Sequence, residues 1–383
     1  MINVFQPSLG VEELAAVKDV FDSGWVGKGP RTTRFEAELA GHLGVPAAHV
    51  VSMNSCTEAM FLAVELLGIG PGDEVVLPAV SFVGAANAVA ARGGTVRFCD
   101  VDPASLNPRP DHVERMLTGR TKAVLVLHYG GFPGWVAEIA ALCHDRGIAL
   151  VEDAACSIAS RVDGRACGTF GDVGAWSFDA MKILVTGDGG LLYARDPELA
   201  VRARRDGYLG MDKVSGFSQV AHADRWWEFE VCSFGRRSVT NDLAAAIGLV
   251  QLGRLAGFMR RRREIAAAYD AELAGVPGLR TPPPLPAGHE SSHWLYWIRL
   301  DERVRDAVAR RLYEREVYST FRYPPLHRMP IYGADRTALP GAEQAAAETL
   351  CLPMHQSLTD ADVAQVVAEV RAAVAAETTF ARR

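Results

Sequence analysis

The 383-residue chain has no Cys-x-x-Cys pairing among its seven cysteines, which stand at 56, 99, 143, 156, 167, 232 and 351. An odd, scattered set excludes a disulfide framework and a cysteine-built zinc site, and it suits a reducing cytoplasm. No metal-ligating group is read elsewhere. Nor is there a basic stripe: Arg260 to Arg263 are followed by Glu264 and an alanine-rich continuation, which reads as the solvated face of a helix. With a net charge of −6, the chain lacks the electrostatic footprint of a nucleic-acid binder. The start, Met-Ile-Asn-Val-Phe-Gln-Pro, lacks the basic head and apolar core of a secretion signal. No apolar run is expected to cross a bilayer. Repeats and low-complexity tracts are absent apart from five prolines within 277–288. What remains, 49% hydrophobic and 22% charged residues, describes a globular protein with room for two domains.

Short apolar runs alternate with longer amphipathic ones, the pattern of an α/β sheet. Strands are predicted at Glu74–Leu77, Thr95–Asp100, Ala123–His128 and Ile148–Asp153, with a helix over Trp135–His144 joining the last two as a β-α-β unit with parallel strands. Sheets of this kind bind ligands at the carboxyl ends of their strands, where Asp153 falls. A long connector helix is predicted from Asn241 to Leu273. An exposed Pro-rich loop, a strand over Ser292–Leu300 and a helix over Asp306–Glu316 then follow. The expected organisation is a large domain, 10–245, and a connector plus smaller α/β domain, 246–383, with residues 1–9 packing nearby.

Lys182 stands in Ala175-Trp-Ser-Phe-Asp-Ala-Met-Lys182, ahead of Gly187-Asp-Gly-Gly190, and Asp153 opens an Asp-Ala-Ala segment at a strand end. An amine and a carboxylate so placed suit pyridoxal 5′-phosphate (PLP). That cofactor needs a lysine to hold its aldehyde as a Schiff base and a carboxylate to keep its ring nitrogen protonated. Its phosphate would find backbone amides at the helix start after Val51-Ser-Met-Asn, where Ser55, Cys56 and Thr57 lie. A ligand-free Ser/Thr helix cap explains the same letters. Ser177, five residues before Lys182, is a further phosphate contact or merely a serine bonding within its strand.

These residues lie within a larger set of motifs: Ser23-Gly-Trp-Val-Gly-Lys-Gly-Pro30, Asn54-Ser-Cys-Thr57, Gly70-Pro-Gly-Asp-Glu-Val-Val75, Ser81-Phe82, Val151-Glu-Asp-Ala-Ala155, Gly168-Thr-Phe-Gly-Asp172, Ala245-Ala-Ile-Gly248 and Pro325-Leu-His327. In order and spacing the chain resembles the DegT/StrS group of PLP-dependent sugar aminotransferases from near residue 5 to beyond 360. The resemblance implies the three-layer fold-type I architecture, with a mostly parallel sheet and a smaller C-terminal α/β domain. It implies that Lys182 holds the cofactor and relays the proton, that Asp153 pairs with the pyridinium, and that Phe82 stacks on the ring. It also implies Lys28, Arg322, Tyr323 and His327 as substrate contacts, Arg322 meeting either a carboxylate or a diphosphate.

Two positions depart from the family pattern. Cys156 stands where many members carry Gln or His against the cofactor's phenolic oxygen, and a thiol is the weaker partner there. Arg237 aligns with an Asn that reaches the phosphate in a neighbouring subunit, with Ser238 as the competing candidate. A homodimer with shared sites is therefore expected. The implied activity is transfer of an amino group from an amino acid, glutamate by analogy, through pyridoxamine phosphate to a nucleotide-linked keto-sugar. A keto-cyclitol acceptor shares every motif. A PLP-dependent sugar dehydratase is disfavoured by Lys182, which those relatives replace with histidine, and a non-catalytic sensor by the intact Lys182 and Asp153.

Overall fold

The computed structural model describes residues 1–211, 229–333 and 338–381. Its first half is built from α1 (Val11–Asp22), α2 (Pro30–Leu43), β1 (Val50–Met53), α3 (Cys56–Leu66), β2 (Glu74–Pro78), α4 (Val83–Ala91), β3 (Thr95–Cys99), α5 (Pro110–Glu114), β4 (Thr121–Leu127), α6 (Val136–Arg146) and β5 (Ala149–Asp153). A small hairpin, β6 (Arg161–Val162) and β7 (Arg165–Ala166), precedes β8 (Val173–Ser177), β9 (Gly190–Ala194) and α7 (Pro197–Asp206). Then come α8 (Asp242–Leu273), β10 (Leu279–Arg280), β11 (His289–Glu290), β12 (Tyr296–Leu300), α9 (Glu302–Glu314), α10 (Pro340–Glu348), β13 (Thr349–Leu352) and α11 (Asp360–Ala381).

Seven strands form the main sheet in the order β1-β9-β8-β5-β4-β2-β3. Neighbours from β8 through to β3 pair in parallel, and β9 alone runs against both of its neighbours. The expected parallel unit is present, with β4 and β5 in register from Ala123 opposite Ala149 to Leu127 opposite Asp153 and α6 as the crossover. Central strands such as Glu74-Val-Val-Leu-Pro78 are buried throughout, because helices cover both faces. That is why they read as continuous rather than alternating apolar runs.

A second core joins α8, β12, β13, α9 and α11. Val304, Val308 and Leu312 recur every four residues, giving α9 one apolar stripe to lay on the β10-β12-β13 sheet. Asn241 caps α8 by accepting from the amide of Ala244, so the connector helix starts where its sequence signals it.

Four sequence expectations need correction. The strand over 292–300 begins only at Tyr296, because residues 291–295 turn sharply, with His293 at a φ of 45°. The helix expected from Asp306 starts at Glu302, since Asp301 caps it by accepting from the amide of Arg303. Arg260–Arg263 are not all solvated: Arg262 is 1% exposed, donating to the side chain of Gln356 and to the carbonyls of His293 and Met354. Finally, α8 is long and apolar enough to cross a membrane by length and composition. Its apolar side lies instead along α1, α2 and α11.

Candidate active site

The carboxyl ends of β4, β5 and β8 open on a cavity of about 160 Å³. Its walls bring together Ser55, Cys56 and Thr57 from the start of α3, Phe82 from the turn into α4, Asp153, Ser177, Lys182, and Arg322 with Tyr323. Residues more than 250 positions apart in the chain thus meet in one space. The loop from β8 back to antiparallel β9 is what delivers the lysine: the Lys182 amide donates to the Asp179 carbonyl at 2.8 Å, closing a turn just beyond the strand end.

Helix α3 offers an anion site in the way its letters suggest. The amides of Cys56 and Thr57 stand in the first turn of α3, where no earlier helical carbonyl is there to accept from them, so they point outward at the positive end of the helix. Ser55 also behaves as a plain cap, its hydroxyl accepting from the amide of Glu58 at 3.1 Å. Gly190, in β9, lets this helix start lie against the strand: a Cβ there would come within 2.5 Å of the Cys56 nitrogen.

Asp153 is 3% exposed and receives one backbone donor, the Ala155 amide at 3.0 Å. Burial pushes its carboxyl above the usual carboxylate range, partly offset by that amide and by the charges of Lys182 and His128. A buried carboxyl in a cavity wall with so little compensation suits a protonated ring nitrogen as its partner. Lys182 makes no ion pair among the described residues. Its Nζ lies 3.9 Å from Cys156 Sγ and 4.0 Å from the centre of the Trp294 ring. Burial raises the Cys156 thiol to about 11 and pushes the Cys56 thiol well above its ordinary value, so both are neutral thiols. Phe82 is 43% exposed to the cavity, with Tyr323 packed at 5.6 Å between ring centres. An amine, a nearly unpartnered carboxyl, a helix start and an open aromatic face around one cavity match the donors PLP requires, so the chain fits the expected cofactor.

Four expected contacts are not in the cavity wall. Lys28 lies 3.7 Å from Glu36, itself bonded to Ser52. His327 is nearly buried beside Glu343 at 3.5 Å. Arg237 is exposed, its guanidinium 5.6 Å over the Tyr208 ring, while the competing Ser238 gives its hydroxyl to Glu58. Cys156 touches the lysine without lining the cavity. Trp294, Phe5 and Met181 were not among the expected site residues, yet Trp294 lies against the lysine amine and the other two hold it: its Nε1 donates to the Met181 carbonyl at 3.0 Å and Phe5 stacks on it at 4.9 Å. Nothing local in the sequence marks Trp294, which sits in an aromatic run that reads as strand interior.

Against this geometry, the sequence profile of the DegT/DnrJ/EryC1/StrS aminotransferase family matches residues 7–371. The chain is 56% identical over 374 residues to a Saccharopolyspora spinosa protein named dTDP-4-dehydro-2,3,6-trideoxy-D-glucose 4-aminotransferase, covering 98% of this chain and 97% of that one. Among solved structures, the aminotransferase TlmJ from Streptoalloteichus hindustanus aligns with a TM-score of 0.94 at 66% identity, over 98% of this chain and 99% of its own. The sugar aminotransferase CalS13 from Micromonospora echinospora aligns at 0.88 and 30% identity, over 97% and 100%. Likeness of that extent means a shared fold, the α/β fold-type I arrangement that the motifs implied.

Proposed function

The chain belongs to the DegT/DnrJ/EryC1/StrS aminotransferase family and is an aminotransferase, and we propose that it moves the amino group of an amino acid, glutamate in the first instance, to C4 of a nucleotide-linked 4-keto-deoxyhexose. The observation that carries the chemistry is the meeting of Lys182, Asp153 and the start of α3 around one cavity. The sugar is supported by the 56% identity, over almost the whole chain, to a protein named for that acceptor class.

Bound there, PLP would supply an aldehyde to carry the amino group and a ring to absorb electrons. Lys182 Nζ would hold the aldehyde and, once displaced, move the proton at the reacting carbon as base and then as acid. Asp153 would keep a proton on the ring nitrogen, a role for which a desolvated carboxylate facing a cation is suited. The amides of Cys56 and Thr57, with the hydroxyls of Ser55, Thr57 and Ser177, would receive the phosphate. Phe82 would cover one face of the ring and exclude water from it. Arg322 makes no ion pair among the described residues, which leaves its guanidinium available to a substrate carboxylate or diphosphate; it rests on the Phe5 ring at 4.8 Å. Lys28 and His327 reach substrate only if the sugar extends beyond the cavity or displaces their carboxylate partners.

The active form in this proposal is a homodimer, with residues 10–245 holding the cofactor and 246–383 closing over it. Val11, Leu14 and Phe21 give α1 an exposed apolar face for a second copy to cover, and Arg237, which lies outside its own cavity wall, would serve the partner's phosphate site. The reaction is tested by loading the purified chain with PLP, adding glutamate and measuring 2-oxoglutarate. A dTDP-linked 4-keto-deoxyhexose is then offered beside an inosose. Amination of the first and not the second is expected; the reverse preference overturns the sugar assignment, and no 2-oxoglutarate overturns the transamination.

A further inference from the structure

We propose that Trp294 is the resting face for the Lys182 amine, holding it beside the reaction centre whenever it is not bonded to the cofactor. The inference rests on the proposed role of Lys182, and it addresses a need that role creates. A lysine that is displaced midway and must then deliver a proton carries four rotatable carbons, and without a partner its amine would sample many positions. Here Nζ lies 4.0 Å from the centre of the Trp294 ring. An indole face attracts an ammonium group through its quadrupole, by a factor of roughly ten to thirty in a desolvated site. That is enough to favour one position and too little to trap the amine there. An ion pair would hold it harder, and Nζ has none among the described residues.

The ring is built to stay in place. Trp294 is 1% exposed, and its Nε1 donates to the carbonyl of Met181, so the indole is tied to the turn that carries Lys182. Phe5 stacks on it with an interplanar angle of 22°, and the chain just ahead of Phe5 is tied down by Ile2, which exchanges backbone hydrogen bonds with Glu316 and Tyr318. From below, the buried guanidinium of Arg262 donates to the carbonyl of His293 at 2.8 Å and of Met354 at 3.1 Å. These bonds pin the tight turn at His293 that aims the indole toward the lysine. Burying an arginine without a carboxylate partner is costly, and its many carbonyl and amide acceptors offset that cost. Trp294 is thus a positioning residue, acting through the lysine it touches.

The experiment compares Trp294→Leu, Trp294→Phe and wild type in two arms. In cofactor-free protein, reductive methylation of Lys182 is timed by peptide mass spectrometry, with exposed Lys18 as the internal reference. Trp294→Leu is expected to label Lys182 several-fold faster than wild type, while Trp294→Phe, which keeps a ring face, stays near the wild-type rate. In loaded enzyme, kcat of Trp294→Leu falls about tenfold with KM for the amino donor unchanged, and Trp294→Phe recovers most of it. Unchanged labelling in Trp294→Leu overturns the proposal. So does a Phe variant as impaired as the Leu variant, which would mean that Trp294 only fills space. The labelling arm needs no transamination, so its result stands apart from the test of the proposed reaction.

Discussion

Replacing Gly190 by alanine asks whether the start of α3 is the cofactor's phosphate site. Gly190 pairs with Met53 and Ser177 in the main sheet, between the strand that enters α3 and the strand that leads to Lys182. A Cβ at this position would stand 2.5 Å from the Cys56 nitrogen and 2.5 Å from the Ser55 carbonyl carbon. Backbone cannot swing aside as a flexible side chain does, so both must retreat to about 3.4 Å, the edge of ordinary contact. The amides of Cys56 and Thr57 move with them by roughly 1 Å, a misplacement that costs on the order of 10²-fold at a preorganised site. The expected result is a loss of PLP affinity of that order, with a stability loss of about 1–3 kcal/mol from overpacking. Affinity is read by fluorescence titration of the cofactor-free protein, and stability by urea melts. Gly253→Ala, on α8 with nothing within 4 Å of its Cβ, is the control and should gain about 0.5–1 kcal/mol without changing PLP affinity. PLP binding by Gly190→Ala within twofold of wild type refutes the phosphate assignment.

Three other changes test the remaining parts. Lys182→Ala should give no borohydride-fixed pyridoxyl adduct on the 182 peptide and lose at least about 10²–10⁴-fold in rate, the worth of a general acid-base group. Asp153→Asn should cost about 10²–10³-fold in the loaded enzyme, yet make the cofactor-free protein more heat-stable at pH 7. Burial raises the carboxyl's pKa, so its ionised form opposes folding, and the advantage of Asn should close as pH falls through that raised value and the wild-type carboxyl takes up its proton. Burial and the charges of Arg262 and Arg263 lower His293 to about 4, so the unfolded chain binds an extra proton between about pH 6.5 and 4 and wild-type stability drains away across that window. His293→Asn, whose side chain tolerates the left-handed backbone, should make that acid limb in Tm against pH shallower, the remainder coming from His355, which burial and Arg262 also lower to about 4.

The central strands were legible because burial on both faces leaves an unbroken apolar run, as in Ala123-Val-Leu-Val-Leu127, and because parallel pairing needs an amphipathic crossover such as α6. Strand β9 was not picked out: Leu-Leu-Tyr-Ala after a pair of glycines is too short to declare itself, and it is set by β1 and β8 on either side. Arg262 misled for a related reason. Four consecutive arginines on a helix point in four directions, and one of them must face the core whatever its charge, so its cost is met by acceptors from residues 293, 354 and 356.

By itself the sequence determined the α/β layering and the long connector helix, and it singled out Lys182, Asp153 and the Ser-Cys-Thr helix start, because their residue types stand at the ends of elements, where the structure gathers them around one cavity. The tertiary structure alone decided who stands beside them. Trp294, Phe5 and Arg262 lie far from Lys182 along the chain and carry no local mark, since a contact made by a turn at residue 293 and the irregular segment at the amino terminus depends on how two cores pack against each other. Periodicity reports which face of an element is buried; it is silent on which distant side chain fills the space against that face.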